Sequence, residues 1–147
     1  MKHLLEKFID KNENILEKQE YYLSELKERL RIKKDFSFSE EEFTEIEKKL
    51  IYSYTSGDLT KKDISDLFVG ILIYTGEVYI NTYGGQWSSF YDNKFQVHVP
   101  CIVNKTGEIR SDFISVLYDT LIQDIDEQEL PLISPALSNI KKTKEYN

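Results

Sequence analysis

ISDLFVGILIYTGEVYINTYGG, residues 64–85, is the stretch whose reading decides the fold. Its second half, Val78 to Tyr83, is β-branched and aromatic and on propensity alone reads as a strand. Against that, Ile64, Leu67, Phe68, Ile71, Leu72, Thr75, Gly76, Tyr79 and Tyr83 follow at three- and four-residue steps without a slip of phase. An unbroken period of that kind belongs to a helix. The spacing predicts a helix from Thr60, a good N-cap, through Thr82, with Gly84-Gly85 as its stop. A strand over residues 78–83 is the competing reading. Gly70 and Gly76 each cost about 1 kcal/mol inside a helix relative to alanine, so they mark close contact with another element.

Upstream, Ser39-Glu40-Glu41-Glu42 has the form of a capping box, with Phe38 placed to staple onto Phe43. Phe43, Ile46, Leu50 and Tyr54 make the buried stripe of the helix that follows, and Ser56-Gly57-Asp58 ends it. Residues 2–33 also carry helical periodicity through Leu5, Phe8, Ile15, Tyr22, Leu26 and Leu30. Asn12-Glu13-Asn14 divides this segment or leaves it whole, so one long helix and a helical hairpin both fit.

Downstream of Gly85 the period changes to two. Gln86 to Tyr91 and Phe95 to Val99 read as a hairpin across Asp92-Asn93-Lys94, with Phe95, Val97 and Val99 inward. Pro100 ends this strand or puts it at a sheet edge. Cys101-Ile102-Val103 and Asn104 to Gly107 read as a further short strand and turn. Ser111 or Asp112 opens a last helix with Phe113, Val116, Leu117, Thr120 and Leu121 on its apolar face. Pro131, Pro135 and the lysine-rich end read as a tail docked through Leu130, Leu132, Ile133 and Leu137. The fold class expected is α+β in a single domain over 1–147. Its parts are an N-terminal helix (1–34), an α+β core (35–126) and a tail (127–147).

A chain of 147 residues buries enough surface to stand without metal or disulfide staples. Cys101 is the only cysteine, which fits a reducing compartment. Charge follows Met1 too closely for a signal peptide, and no apolar run is long enough to span a bilayer. The expected location is the cytoplasm. The net charge of −7 is uneven, with +2 over residues 1–34 and −9 over 35–147. An acidic body repels phosphate backbones and steers a basic partner inward, although acidity also serves plain solubility.

Chemistry-bearing patterns are sparse. His98 and Cys101 lie three apart, on opposite faces of a strand, and two ligands do not make a zinc site. Gly84-Gly85 lacks the lysine and hydroxyl residue of a phosphate loop. Asp124, Asp126, Glu127 and Glu129 lack the glycine and register of a calcium loop. No catalytic residues, cofactor or metal are expected. Glu77, inside the apolar run Ile71 to Ile80, has to reach solvent, accept buried hydrogen bonds or pair with a cation. As a clamp it would hold backbone amides or Arg110; as a functional group it would join Tyr79, Tyr83, Trp87 and Tyr91 in a binding patch. For Trp87 the core is the stronger of the two placements.

Tyr74-Thr75-Gly76-Glu77-Val78, followed by Gly84-Gly85-Gln86-Trp87, resembles a set of small bacterial proteins associated with toxin–immunity loci. The likeness covers roughly residues 64–121. It implies a helix leading through a Gly-Gly-x-Trp turn into a short sheet and a closing helix, and it supplies no catalytic residues. The expected function is that of a non-enzymatic immunity or inhibitor protein, binding a protein partner such as a basic toxin domain, without nucleic acid or membrane. The alternative is a structural or assembly protein that oligomerises through the N-terminal helix.

Overall fold

The computed structural model describes residues 18–93, 97–110, 112–123 and 130–146. Within them the helices are α1 (Gln19–Arg29), α2 (Glu40–Thr55), α3 (Lys61–Asp66), α4 (Phe68–Tyr83), α5 (Asp112–Tyr118) and α6 (Ser134–Tyr146). A π-helical turn, Asp119–Gln123, extends α5. Strands β1 (Gln86–Asp92), β2 (Val97–Val103) and β3 (Ile109–Arg110) form an antiparallel sheet in that order. The architecture is α+β. No described helix is long and apolar enough to cross a membrane.

The contest over residues 78–83 is won by the helix. α4 continues to Tyr83 and is stopped by Gly84 at φ 83°. Ten of its sixteen residues are buried, Tyr74 and Val78 completely. A helix apolar on all sides has to be enclosed by other elements, and that burial outweighs the strand preference of its last turns. It does not begin at Thr60, however. Leu67 takes a tighter turn, its N–H reaching both Asp63 O (3.0 Å) and Ile64 O (3.1 Å), and this separates α3 from α4. Thr60 caps the short α3 through a reciprocal pair with Asp63.

Both interior glycines mark close approaches. A Cβ on Gly70 would lie 2.8 Å from the Tyr22 carbonyl oxygen of α1. One on Gly76 would run into the six-membered ring of Trp87. α1 thus lies directly on one side of α4, burying Leu26, while Trp87 of β1 lies on another. α1 is described only from Gln19, so the choice between one long helix and a hairpin over residues 2–33 falls outside the described residues. At its C-terminal end Arg31 turns left-handed (φ 58°) and Ile32 N–H closes onto Lys27 O at 2.9 Å.

α2 begins at the predicted cap, where Ser39 Oγ accepts from Glu42 N–H at 3.1 Å. The return half of the box is shifted. Glu42 receives the N–H groups of Phe38 (3.0 Å) and Ser37 (2.8 Å) instead of that of Ser39. The cause is Phe38, whose left-handed φ of 58° turns the preceding amides toward the carboxylate. Phe38 and Phe43 both rest on Tyr74, with centroids 5.8 Å and 6.1 Å away, and Phe36 adds a third contact at 4.9 Å.

β2 does not stop at Pro100; it runs unbroken to Val103. Asn104 N–H bonds Glu108 O (2.9 Å) on the β3 side, and antiparallel bonding alternates along a strand. Val103, Cys101, Val99 and Val97 therefore bond toward β1, while the nitrogen of Pro100 faces away, past the end of two-residue β3. No ladder bond is lost there, so the proline is tolerated. On β1 the same phase turns the backbone groups of Trp87, Ser89 and Tyr91 outward. Phe95 lies outside the described residues.

The segment read as a tail contains a packed helix. α6 buries Ala136, Leu137 and Ile140, with Ile133 just ahead of it. Pro135 lies in its first turn, where a missing N–H costs nothing. Glu47 of α2 accepts the N–H groups of Ile133 (2.7 Å) and Ser134 (2.6 Å), satisfying donors at the start of the helix. Phe113, Leu117, Thr120 and Leu121 are buried as their spacing predicts.

Two outcomes follow from this packing. Gly76→Ala should destabilise the protein by about 1–3 kcal/mol in urea unfolding, because the new methyl group overlaps the Trp87 ring. Asp63 accepts from the Thr60 N–H (2.9 Å) and pairs with Arg29 at 2.8 Å, and these lower its pKa from 3.8 to about 2. A depressed carboxylate pKa stabilises the fold above the unfolded value and ceases to as pH falls through the folded one. The stability gap between the native chain and Asp63→Asn should therefore narrow as pH is lowered from about 4 to about 2.

Candidate functional site

Glu77 and Trp87 are brought together. Trp87 Nε1–H donates to Glu77 Oε1 at 2.9 Å, and Gln19 Nε2 donates to the same oxygen. One half-buried carboxylate oxygen thus ties α4 to β1 and to α1. Glu77 is a clamp whose donors among the described residues are an indole and a side-chain amide; the side chain of Arg110, one expected partner, lies outside the described residues. The indole ring lies over Gly76 and beside Phe113, at 6.4 Å between centroids. A tryptophan with its ring covered and its N–H spent is an internal anchor.

The other three residues differ in exposure. Tyr79 is 1% exposed, and its hydroxyl has no hydrogen-bond partner among the described residues. Tyr83, one turn on, packs against it at a tilt of 38° with centroids 5.1 Å apart and sends its hydroxyl to Glu40 Oε1 at 3.3 Å. Tyr91 is 50% exposed near the end of β1. Of the five residues only Tyr91 is exposed; Glu77, Tyr83 and Trp87 are partly covered and Tyr79 is buried.

The polar centre of the helical layer is one the spacing did not single out. Glu42 accepts from Ser37 N–H, Ser37 Oγ, Phe38 N–H and Tyr74 Oη, the last at 2.9 Å. Burial first, and then the hydrogen bond to Glu42, push the Tyr74 phenol far above its ordinary pKa. It stays protonated and donates. Glu42 was recognisable as a capping residue, but the left-handed turn at Phe38 that redirects it has no local sequence signal. Glu47, joined to backbone 86 residues away, had none either.

Cys101 is buried, and burial raises its thiol pKa, which favours the unreactive protonated form. In the sheet register Cys101 stands opposite Ser88 and His98 opposite Tyr91. Among the described residues no three His, Cys, Asp or Glu side chains are grouped so as to hold a metal ion. Exposed aromatic groups that spacing alone did not identify are Tyr21 on α1 (64%) and Tyr52 on α2 (70%).

Trp87→Phe should cost about 1–3 kcal/mol by circular-dichroism-monitored unfolding, since it removes a donor from a half-buried carboxylate. Tyr79→Phe should leave stability unchanged or raise it by about 1 kcal/mol, because it deletes an unsatisfied hydroxyl. Compared with family models, with curated proteins and with solved structures, the chain finds no match.

Proposed function

We propose that this chain is a non-enzymatic bacterial inhibitor of the immunity type, which neutralises a basic toxin or effector domain in the cytoplasm by covering part of its surface. The division of labour among the carboxylates carries this reading. Glu42, Glu47 and Glu77 are engaged in holding the fold together. Glu20, Glu28, Glu41, Glu45, Asp58 and Asp66 are exposed. Acidic groups that the fold does not use project a field that draws a positively charged partner and repels other acidic molecules.

The exposed aromatic residues give that field something to dock with. Tyr21 lies beside Glu20 on α1, and Tyr52 lies on the outer face of α2 beyond Glu41 and Glu45. Tyrosine supplies contact area at a small entropic cost, and a few such anchors carry most of the energy of an interface.

The test is to mix the chain with candidate toxin domains encoded beside it, measuring complex formation and protection of growing cells. The expected result is a complex whose association slows steeply with salt, with Glu41→Lys/Glu45→Lys slowing it by roughly tenfold at low ionic strength. No complex and no protection with any such domain would remove the proposal.

A further inference from the structure

We infer that the turn at Ser37 and Phe38, with Tyr74 beneath it, is a carboxylate-binding site that the chain fills with its own Glu42. A free carboxylate of matching size takes the place when that side chain is cut back. The inference does not depend on the inhibitor reading.

A carboxylate offers about four lone-pair positions, shared between its oxygens. Each oxygen of Glu42 receives two donors. Oε2 accepts from the Ser37 N–H at 2.8 Å and from Ser37 Oγ at 3.1 Å. Oε1 accepts from the Phe38 N–H at 3.0 Å and from Tyr74 Oη at 2.9 Å.

The donors come from two places. Ser37 and Phe38 are consecutive, and the left-handed φ of Phe38 (58°) turns both amides to one point. Successive N–H groups that converge in this way make an anion-binding concavity. Neither amide belongs to α2, where the Glu42 N–H is spent on Ser39 Oγ. Tyr74 reaches the site from α4 and is fully buried, its ring set among Phe36, Phe38 and Phe43. A buried hydroxyl aimed at that point is left without a partner if the carboxylate goes.

Hydrogen bonds, and not opposite charge, define the ligand. Among the described residues no lysine or arginine pairs with Glu42. The turn therefore recognises the planar, two-oxygen shape of a carboxylate. A spherical anion such as chloride cannot meet two pairs of donors set on separate oxygens. Ser37 is exposed and Glu42 only half-buried, so the site opens to solvent on one side. Glu42→Ala removes Cγ, Cδ and both oxygens, which is the heavy-atom content of acetate.

Thermal unfolding of Glu42→Ala at neutral pH, in sodium acetate against sodium chloride at matched ionic strength, tests this. The variant should be less stable than the native chain in chloride. Acetate should raise its midpoint saturably, by roughly 2–4 °C at about five times the dissociation constant. Propionate, one methylene longer, should do less. The native chain, whose site is filled, should gain nothing over chloride. If the variant is unfolded in chloride, acetate should restore its native circular dichroism. Adding Tyr74→Phe removes one donor and should raise the acetate concentration needed by roughly tenfold. A response that follows ionic strength whatever the anion, or an equal gain in the native chain, would overturn the inference. So would a variant that acetate neither stabilises nor refolds, or an acetate requirement unchanged by loss of the Tyr74 hydroxyl.

Discussion

The burial of α4 is the constraint on which the remainder of the molecule depends. A sixteen-residue helix whose sides are nearly all apolar cannot face water along any stripe. Each neighbouring element therefore forms part of its enclosure. α1 approaches closely enough to require glycine at position 70. Phe36, Phe38 and Phe43 surround Tyr74. Trp87 covers Gly76, and Ile102 of β2 lies within reach of the same point. α5 and α6 enclose the remainder with Phe113, Leu117, Leu137 and Ile140, all buried.

An apolar enclosure does not fix where its parts sit along the helix; directional bonds do. Three glutamates perform that task, each accepting from donors that would otherwise be left unsatisfied or disordered. Glu77 fixes β1 and α1 against α4, Glu42 fixes the segment before α2 against Tyr74, and Glu47 fixes the start of α6. A hydrogen bond to a charged acceptor is worth more than one between neutral groups, and its loss leaves the donor without a partner. These carboxylates explain how an acidic chain can devote part of its charge to architecture and keep the remainder for its surface.

Much of this was legible in the sequence, and for a definite reason. Local signals that repeat over several turns survived: the phase of α4, the Ser39 and Thr60 caps, the Gly84 stop and the apolar face of α5. What failed depended on a single residue or on distance. Leu67 breaks the helix by taking one tight turn inside an uninterrupted apolar pattern. Pro100 read as a strand end or an edge position, because the sequence does not reveal which way its nitrogen faces within a strand that runs through it. Pro131 and Pro135 looked like punctuation of a tail, yet Pro135 occupies the first turn of a helix, where proline is at home. The proposed patch was legible only in part. Glu77 and Trp87 stood out because each is chemically out of place. That they had each other as partners, and so lay within the fold, followed from the turn that brings β1 back along α4. The exposed residues Tyr21 and Tyr52 occupy ordinary outward positions, which nothing in a single sequence separates from solvated surface.

If α4 is the enclosed centre, its amides become accessible only when everything around it comes apart. Native-state hydrogen exchange under increasing denaturant measures this directly. The account predicts that amides from Ile71 to Tyr79 exchange with the same free energy and denaturant slope as global unfolding. Exchange of Thr75 to Val78 through a smaller opening, insensitive to denaturant, would show that Trp87 and its carboxylate do not seal this helix and would contradict the account.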